Sequence, residues 1–224
     1  MIVAIHQPNF FPWMGYFDKI KKADVFVFLD EVQLIKSGNS MSSWTNRVQI
    51  NVQNRPHWIN CPLVRFSGNK PINDVVINVS SLWQKKLLKT IKLNYAKAPN
   101  GEIAFELIKN LMNYETDRIS NFNVHTIKTI SAALGMKTKF VMQSDLGVST
   151  SSTQLLIDIV KEVGGTTYLC GGGASGYQED DLFIANNLEL RYQNFAPTSY
   201  VEEGVEFIPG LSVIDYLMMN GKPL

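Results

Sequence analysis

The feature that most constrains the fold is a strand–loop–helix–strand pattern in the first 30 residues. The apolar residues 2–5 lead into a segment rich in proline, aromatic and polar residues, and residues 16–22 are predicted to form a short helix. A second apolar run, residues 23–29, is closed by Asp30. Two strands joined by a helical crossover form a right-handed βαβ unit and hence a parallel sheet. The chain is therefore predicted to be α/β, with a mostly parallel, Rossmann-like sheet.

The rest of the chain continues this pattern and adds a helical portion in the middle. Strands at residues 48–52 and 58–63 are predicted to pair through a turn at 54–56, as a hairpin or a short sheet extension. Helices at 81–95, 102–113 and 118–134 follow a predicted strand at 73–79. The remaining predicted elements are strands at 139–143, 166–170 and 188–195, and helices ending at Val163, at 177–187 and after a Ser212 cap with capping-box spacing to Asp215. We predict one domain over 1–224, with a helical subregion at about 81–135.

Composition limits the classes of partner. A net charge of +1 does not favour nucleic acid or an anionic membrane, and no run approaches the roughly 18 apolar residues that span a bilayer. Cys61 and Cys170 lie far apart and lack the spacing of metal ligands. We therefore expect a soluble, cytoplasmic protein; disulfide frameworks and zinc sites are both poorly supported, no metal-ligating residues are predicted, and metal dependence is left open. The sequence identifies no cofactor and leaves the oligomeric state open.

The loop after the first strand carries the main candidate site, because ligands bind at the carboxyl ends of strands in open α/β sheets. His6 is the candidate catalytic base, or else a structural histidine that stabilises the loop. Gln7 and Asn9 carry amides that either bind sugar hydroxyls or satisfy turn backbone groups. The predicted site is completed by aromatic walls and a glycine that permits close approach, namely Phe11, Trp13, Gly15 and Tyr16.

Two further polar groups are predicted to face this loop. Asp30 is a candidate catalytic residue and Gln33 a candidate binding residue at the end of the second strand, although a solvated turn acid is the alternative for Asp30. Asn46 and Arg47 follow Trp44, and an arginine fork suits a diphosphate or carboxylate. The Trp44 indole either stacks on substrate or belongs to the core.

A glycine run at 171–176 follows the predicted strand that ends at Cys170. Gly171 and Gly172 are candidate binding residues, because successive backbone N–H groups at a strand–helix junction can hold phosphate. The alternative is an ordinary turn. Cys170 has no base partner in the sequence, and a buried structural thiol is the more common role.

These motifs resemble the WbqC-like protein family. The resemblance rests on His6-Gln7-Pro8-Asn9-Phe10-Phe11-Pro12-Trp13-x-Gly15-Tyr16-Phe17, Ala23-Asp24-Val25-Phe26-Val27, Asp30-x-Val32-Gln33, Asn46-Arg47, Tyr168-Leu169-x-Gly171 and Leu211-Ser212-Val213-Ile214-Asp215. It implies work on nucleotide-activated sugars, because genes of this family occur in O-antigen and related surface-polysaccharide clusters.

Three functional hypotheses follow from the residues and the resemblance. The first is a transferase of surface-polysaccharide precursor synthesis that acts on a nucleotide-linked sugar, such as an amino sugar receiving an acyl or aminoacyl group. The second is a non-catalytic protein that binds a sugar nucleotide or a partner. The third is a divergent ATP-dependent nucleotidyltransferase, since the first strand, loop and helix are similar to those of HxGH-type enzymes. Only His6 is present where such enzymes use paired histidines.

Overall fold

A five-stranded parallel sheet forms the centre of the fold in the computed structural model, which describes residues 1–35, 43–172 and 179–220. The strands are β1 (Ile2–His6), β2 (Val25–Phe28), β3 (Arg47–Val52), β4 (Arg55–Asn60), β5 (Lys139–Met142), β6 (Thr167–Cys170) and β7 (Glu189–Tyr192). The sheet has the order β5-β2-β1-β6-β7, and each neighbouring pair is parallel. The predicted α/β class and the opening βαβ unit are confirmed.

Helices cover both faces of this sheet, which explains why its central strands are apolar along their whole length. The helices are α1 (Met14–Lys21), α2 (Trp83–Asn94), α3 (Gly101–Met112), α4 (Ile119–Ala133), α5 (Ser152–Glu162), α6 (Asp180–Ala185) and α7 (Val213–Met219). On β1, Ala4 packs into the core that contains α1 and α4. Val3 and Ile5 point to the opposite face and pack with α5 and α6. The predicted helical portion in the middle of the chain corresponds to α2, α3 and α4.

The β3–β4 hairpin differs from its prediction at the turn. Gln53 and Asn54 occupy the turn with φ of 53° and 60°, and Val52 pairs with Arg55. The predicted turn at 54–56 was therefore wrong, because β4 begins at Arg55 and includes Pro56. Proline is compatible with this strand because β4 pairs only with β3 and its other edge needs no N–H donor.

The strand predicted at 73–79 is absent. Ile72–Asp74 forms a 3-10 turn, and the following residues make isolated bridges instead of a ladder. The backbone of this segment pairs with irregular segments, as in the bonds of Val64 N to Val76 O and Ile77 N to Asp117 O. Val75 and Ile77 are buried in the core, so the apolar pattern reflects packing rather than sheet pairing.

Three sequence predictions fall partly outside the described residues. These are the serine-rich loop before Trp44, the glycine run after Gly172 and the first residues of the helix predicted at 177–187. Among the residues that are described, no helix has both the length and the apolar character needed to cross a bilayer.

Asn123 on α4 joins two loops near the carboxyl edge of the sheet. Its buried Nδ2 donates to Pro8 O at 2.8 Å and to Thr45 O at 2.7 Å. The loop after β1 is further tied to the same region by Phe10 N, which donates to Trp44 O at 2.9 Å. A single buried amide thus satisfies two buried carbonyl groups, which water cannot reach.

Replacing Asn123 by alanine should lower the free energy of unfolding by about 2–4 kcal/mol, because both carbonyls lose their donor. Guanidinium unfolding measures this loss. Asn121→Ala on the exposed face of α4 is the matched control, with the same change in helix propensity and an expected effect within about 0.5 kcal/mol. Equal destabilisation by the two variants would contradict the assignment.

Candidate functional site

The sheet has one topological switch point, between β1 and β6. From β1 the chain builds outward through β2 to β5, and it then crosses to β6 and builds in the other direction to β7. Crevices at such points are the usual ligand sites of open α/β sheets. A cavity of about 360 Å³ lies here, which we call the switch-point pocket; it is lined by His6, Trp13, Gly15, Tyr16, Lys19, Gly171, Gly172, Gln193, Asn194 and Phe195.

His6 ends β1 and is held by the start of the loop. Its Nδ1 lies 3.0 Å from Gln7 O, and its ring meets the Tyr16 ring edge-on at 4.8 Å between centroids. Because a carbonyl only accepts, Nδ1 carries the proton and Nε2 has the lone pair. Burial, aided by the charge of Lys19, lowers the pKa of His6 to about 4, so the ring is neutral at pH 7.

Lys19 is a candidate site residue that the sequence analysis missed. It lies on the buried face of α1, and its Nζ donates to Ile5 O at 2.9 Å. Burial lowers the pKa of Lys19 to about 8. Among the described residues no carboxylate lies within ion-pair distance of this ammonium. The sequence feature that could have indicated its burial is its position on the predicted helix, among the apolar residues Tyr16, Phe17 and Ile20.

Trp13, which precedes α1, and the α1 residues Gly15 and Tyr16 form the side of the pocket that the sequence predicted. Trp13 packs edge-on against Phe195 at 5.3 Å between ring centroids. A side chain at Gly15 would collide with the indole, since its Cβ would lie 2.6 Å from Trp13 Cη2. Tyr16 donates its hydroxyl to Gln7 O at 2.9 Å, and burial raises its pKa well above the usual value. Glycine at position 15 is thus required by the placement of Trp13.

Gly171 and Gly172 complete the opposite side of the pocket, after β6. A Cβ at either position would meet no atom of the described residues within 4 Å. The preceding Cys170 is buried, and its Sγ lies 3.4 Å from Arg191 O. Gln193 also lines the pocket, and the sequence analysis did not identify it. Its Nε2 joins this side of the pocket to α1 by donating to Gly15 O at 2.6 Å and to Asp18 Oδ2 at 2.8 Å.

Several predicted site residues lie outside this pocket. Phe11 is fully buried in the core, where it packs edge-on against Phe10. Asp30 is buried on the β5 side, where its carboxylate accepts from Ser144 N at 3.1 Å and Ser144 Oγ at 2.8 Å. Gln33 is exposed and bridges to Pro71. The Gln7 carbonyl accepts a hydrogen bond from Tyr16, and the buried amide oxygen of Asn9 has no hydrogen-bond partner within the described part of the chain.

Trp44, Asn46 and Arg47 form a separate cluster at the base of the hairpin. The exposed Trp44 and Trp58 rings lie 5.4 Å apart, and the Arg47 guanidinium lies 4.4 Å from the Trp58 ring centroid. Asn46 is buried, accepts from Ser43 N and donates to Cys61 O. The Arg47 guanidinium, predicted to bind a diphosphate or carboxylate, therefore stacks on the Trp58 indole. The Asn46 side chain bonds to the backbone of Ser43 and Cys61.

The described residues contain no group of three or more His, Cys, Asp or Glu side chains that could hold a metal ion. The model of the WbqC-like protein family matches residues 7–223. The chain belongs to the WbqC-like protein family. It is similar to "Uncharacterized protein Rv1507c" of Mycobacterium tuberculosis (strain ATCC 25618 / H37Rv), with 26% identity over 222 residues that cover 98% of this chain and 94% of the relative. No solved structure matches the chain.

The lowered pKa of His6 predicts a specific loss of stability in acid. Between about pH 6.5 and pH 4, an unfolded His6 binds a proton that the folded protein excludes, so stability falls as the pH falls. Relative to His6→Gln, the wild type should lose about 2 kcal/mol between pH 7.5 and pH 5 in guanidinium unfolding. The exposed His57→Gln variant is the control, and parallel curves for wild type and His6→Gln would refute the prediction.

Proposed function

We propose that this chain is a transferase that acts on a nucleotide-activated sugar in the synthesis of a surface-polysaccharide precursor, with the switch-point pocket as its active site. The observation that carries the proposal is the buried Lys19 ammonium, which lines this pocket without a carboxylate partner among the described residues. Membership of the WbqC-like family supports the setting, because the family's genes are associated with O-antigen clusters.

A buried ammonium that has no carboxylate partner among the described residues favours an anionic ligand. Removing a charge from water is costly unless an opposite charge and hydrogen bonds compensate it. Lys19 already donates one hydrogen bond to Ile5 O, and an ammonium has three donors. A phosphate oxygen of a sugar nucleotide would take a remaining donor, and backbone groups at Gly171 and Gly172 border the same space.

Phosphate binding would also activate His6. The Lys19 charge is one of the two causes that lower the pKa of His6, and a bound phosphate would neutralise it. The His6 imidazole would then become a better base only when substrate is present. Its Nε2 would accept the proton that an amino or hydroxyl group of the sugar loses as that group attacks the acyl carbon of the donor. The bond between the acyl carbon and the donor's carrier would then break, and the carrier would leave with the bonding electrons and take up the proton from His6.

A non-catalytic sugar-nucleotide-binding function is the second candidate. It is favoured by the lining of the switch-point pocket, in which the described residues supply no carboxylate. Asp30, the candidate acid of the sequence analysis, is engaged with Ser144. The two candidates share the same binding step and differ only in whether a product forms.

Lys19→Met tests the binding step. We expect sugar nucleotides to raise the melting temperature of the wild type and Lys19→Met to weaken their binding at least about ten-fold, because a charge-assisted hydrogen bond is lost. The variant should fold well, since methionine removes a buried charge. Lys89→Met on the exposed face of α2 is the control, and equal affinity in all three proteins would overturn the proposal.

His6→Ala tests the chemical step. With sugar nucleotide and candidate acyl donors, mass spectrometry should detect product from the wild type, and His6→Ala should lower kcat about 100-fold or more while retaining binding. Unchanged turnover would remove His6 from catalysis. Binding with no product from any donor would favour the non-catalytic candidate, and pyrophosphate release from ATP would indicate nucleotidyl transfer instead.

A further inference from the structure

A second cavity, of about 300 Å³, adjoins the switch-point pocket. Trp13 and Phe195 line both cavities, so the two share one pair of rings. The remaining aromatic side chains of this second cavity are Tyr200, Phe207 and Tyr216. We call it the aromatic cavity.

The walls of the aromatic cavity are held in place by contacts with the core. The Tyr200 ring meets Phe207 and Tyr216 edge-on, with centroids 5.1 Å and 5.2 Å away. Its hydroxyl donates to the buried Asp215 carboxylate at 2.7 Å. Tyr95 donates to the other oxygen of Asp215, also at 2.7 Å. The rings therefore present preformed faces, and little side-chain entropy remains to be lost on binding.

Charged groups from α1 border one side of the aromatic cavity. Asp18 and Lys21 both line it. The Asp18 carboxylate is balanced by Lys22 at 2.8 Å and accepts from Gln193 Nε2 at 2.8 Å, which leaves it acceptor capacity. Lys21 is exposed and supplies donors. The cavity thus combines aromatic faces with one acceptor and one donor group.

We propose that the aromatic cavity is the nucleobase subsite for the ligand whose phosphates bind in the switch-point pocket; this rests on the proposed function. Planar bases stack on aromatic side chains. Asp18 and Lys21 would meet the N–H and carbonyl groups on the edge of the base. The ribose would cross the rim of Trp13, which lines both cavities and is 37% exposed.

Thr198→Trp tests the proposal by filling the aromatic cavity. Thr198 is exposed and lines this cavity but not the switch-point pocket. The matched control is Ser199→Trp, because Ser199 is adjacent and exposed and lines neither cavity. The probes are ADP, GDP, UDP, CDP and inorganic pyrophosphate, measured by calorimetry. At least one nucleoside diphosphate should bind the wild type about ten-fold more tightly than pyrophosphate does.

Thr198→Trp should abolish this advantage and leave pyrophosphate binding unchanged, whereas Ser199→Trp should preserve both. Phe207→Leu, which keeps apolar volume but removes a ring, provides a second variant and should lower the advantage several-fold. The nucleobase subsite would be contradicted if all probes bound equally. It would also be contradicted if the tighter binding of a nucleoside diphosphate relative to pyrophosphate persisted in both Thr198→Trp and Phe207→Leu. If pyrophosphate binding requires Lys19 in those cases, the proposed phosphate site still stands; if Lys19→Met changes nothing, the proposed function fails as well.

Discussion

The structure depends on a buried irregular loop whose carbonyl groups must all find donors. Residues 7–13 contain two prolines and lie largely within the core, where water cannot reach the backbone. The donors come from α1, α4 and the start of α7: Tyr16 donates to Gln7 O, Asn123 to Pro8 O, Ser212 to Phe11 O and Val213 N to Pro12 O. Phe11 is held at a φ of 39°, a strained conformation for a non-glycine residue that this pairing stabilises. The loop therefore has a fixed shape only when these segments are assembled around it.

The fixed loop determines where α1 begins and hence where its charged residue lies. With α1 starting at Met14, one helical turn brings Lys19 over the end of β1, where its ammonium reaches Ile5 O. The same placement sets the Lys19 charge close enough to His6 to lower the pKa of the imidazole. The two groups are thus coupled electrostatically through the geometry of one strand–loop–helix unit. A ligand that changes the charge near Lys19 would change the basicity of His6 without any movement of the backbone.

The local sequence pattern was sufficient to predict most strands of the sheet and the helices. It failed where tertiary contacts determine which segments pair and which side chains are buried. Apolar runs identify β1 and β2, and the crossover rule makes them parallel, but strand order depends on the return of the chain at β6. The predicted site therefore extended to Asp30 on the β2 side, whereas the crevice opens on the β6 side and Asp30 binds Ser144. The sequence analysis missed Lys19 because a lysine on a helix is normally exposed to solvent. Its burial depends on the position of β6. The segment 73–79 has an apolar strand pattern, but its backbone bonds to the irregular segments 62–64 and 117–119, and the pattern reflects the burial of Val75 and Ile77 in the core.

The motifs that identify the family are largely one structural unit rather than a list of reacting groups. Ser212, from the motif near the carboxyl end, donates to Phe11 O and caps α7 by accepting from Ile214 N. Asp215 does not complete the capping box expected from its spacing; its carboxylate instead accepts from Tyr95 and Tyr200, and burial raises its pKa. Tyr200 in turn supports the aromatic cavity, and the loop presents Trp13 to both cavities. Among the described residues that line the switch-point pocket, His6, Tyr16 and Lys19 are the ionisable ones. The pKa of the Tyr16 hydroxyl is raised by burial, so the function proposed above assigns proton chemistry to His6 and Lys19 and substrate selection to the walls that these contacts fix.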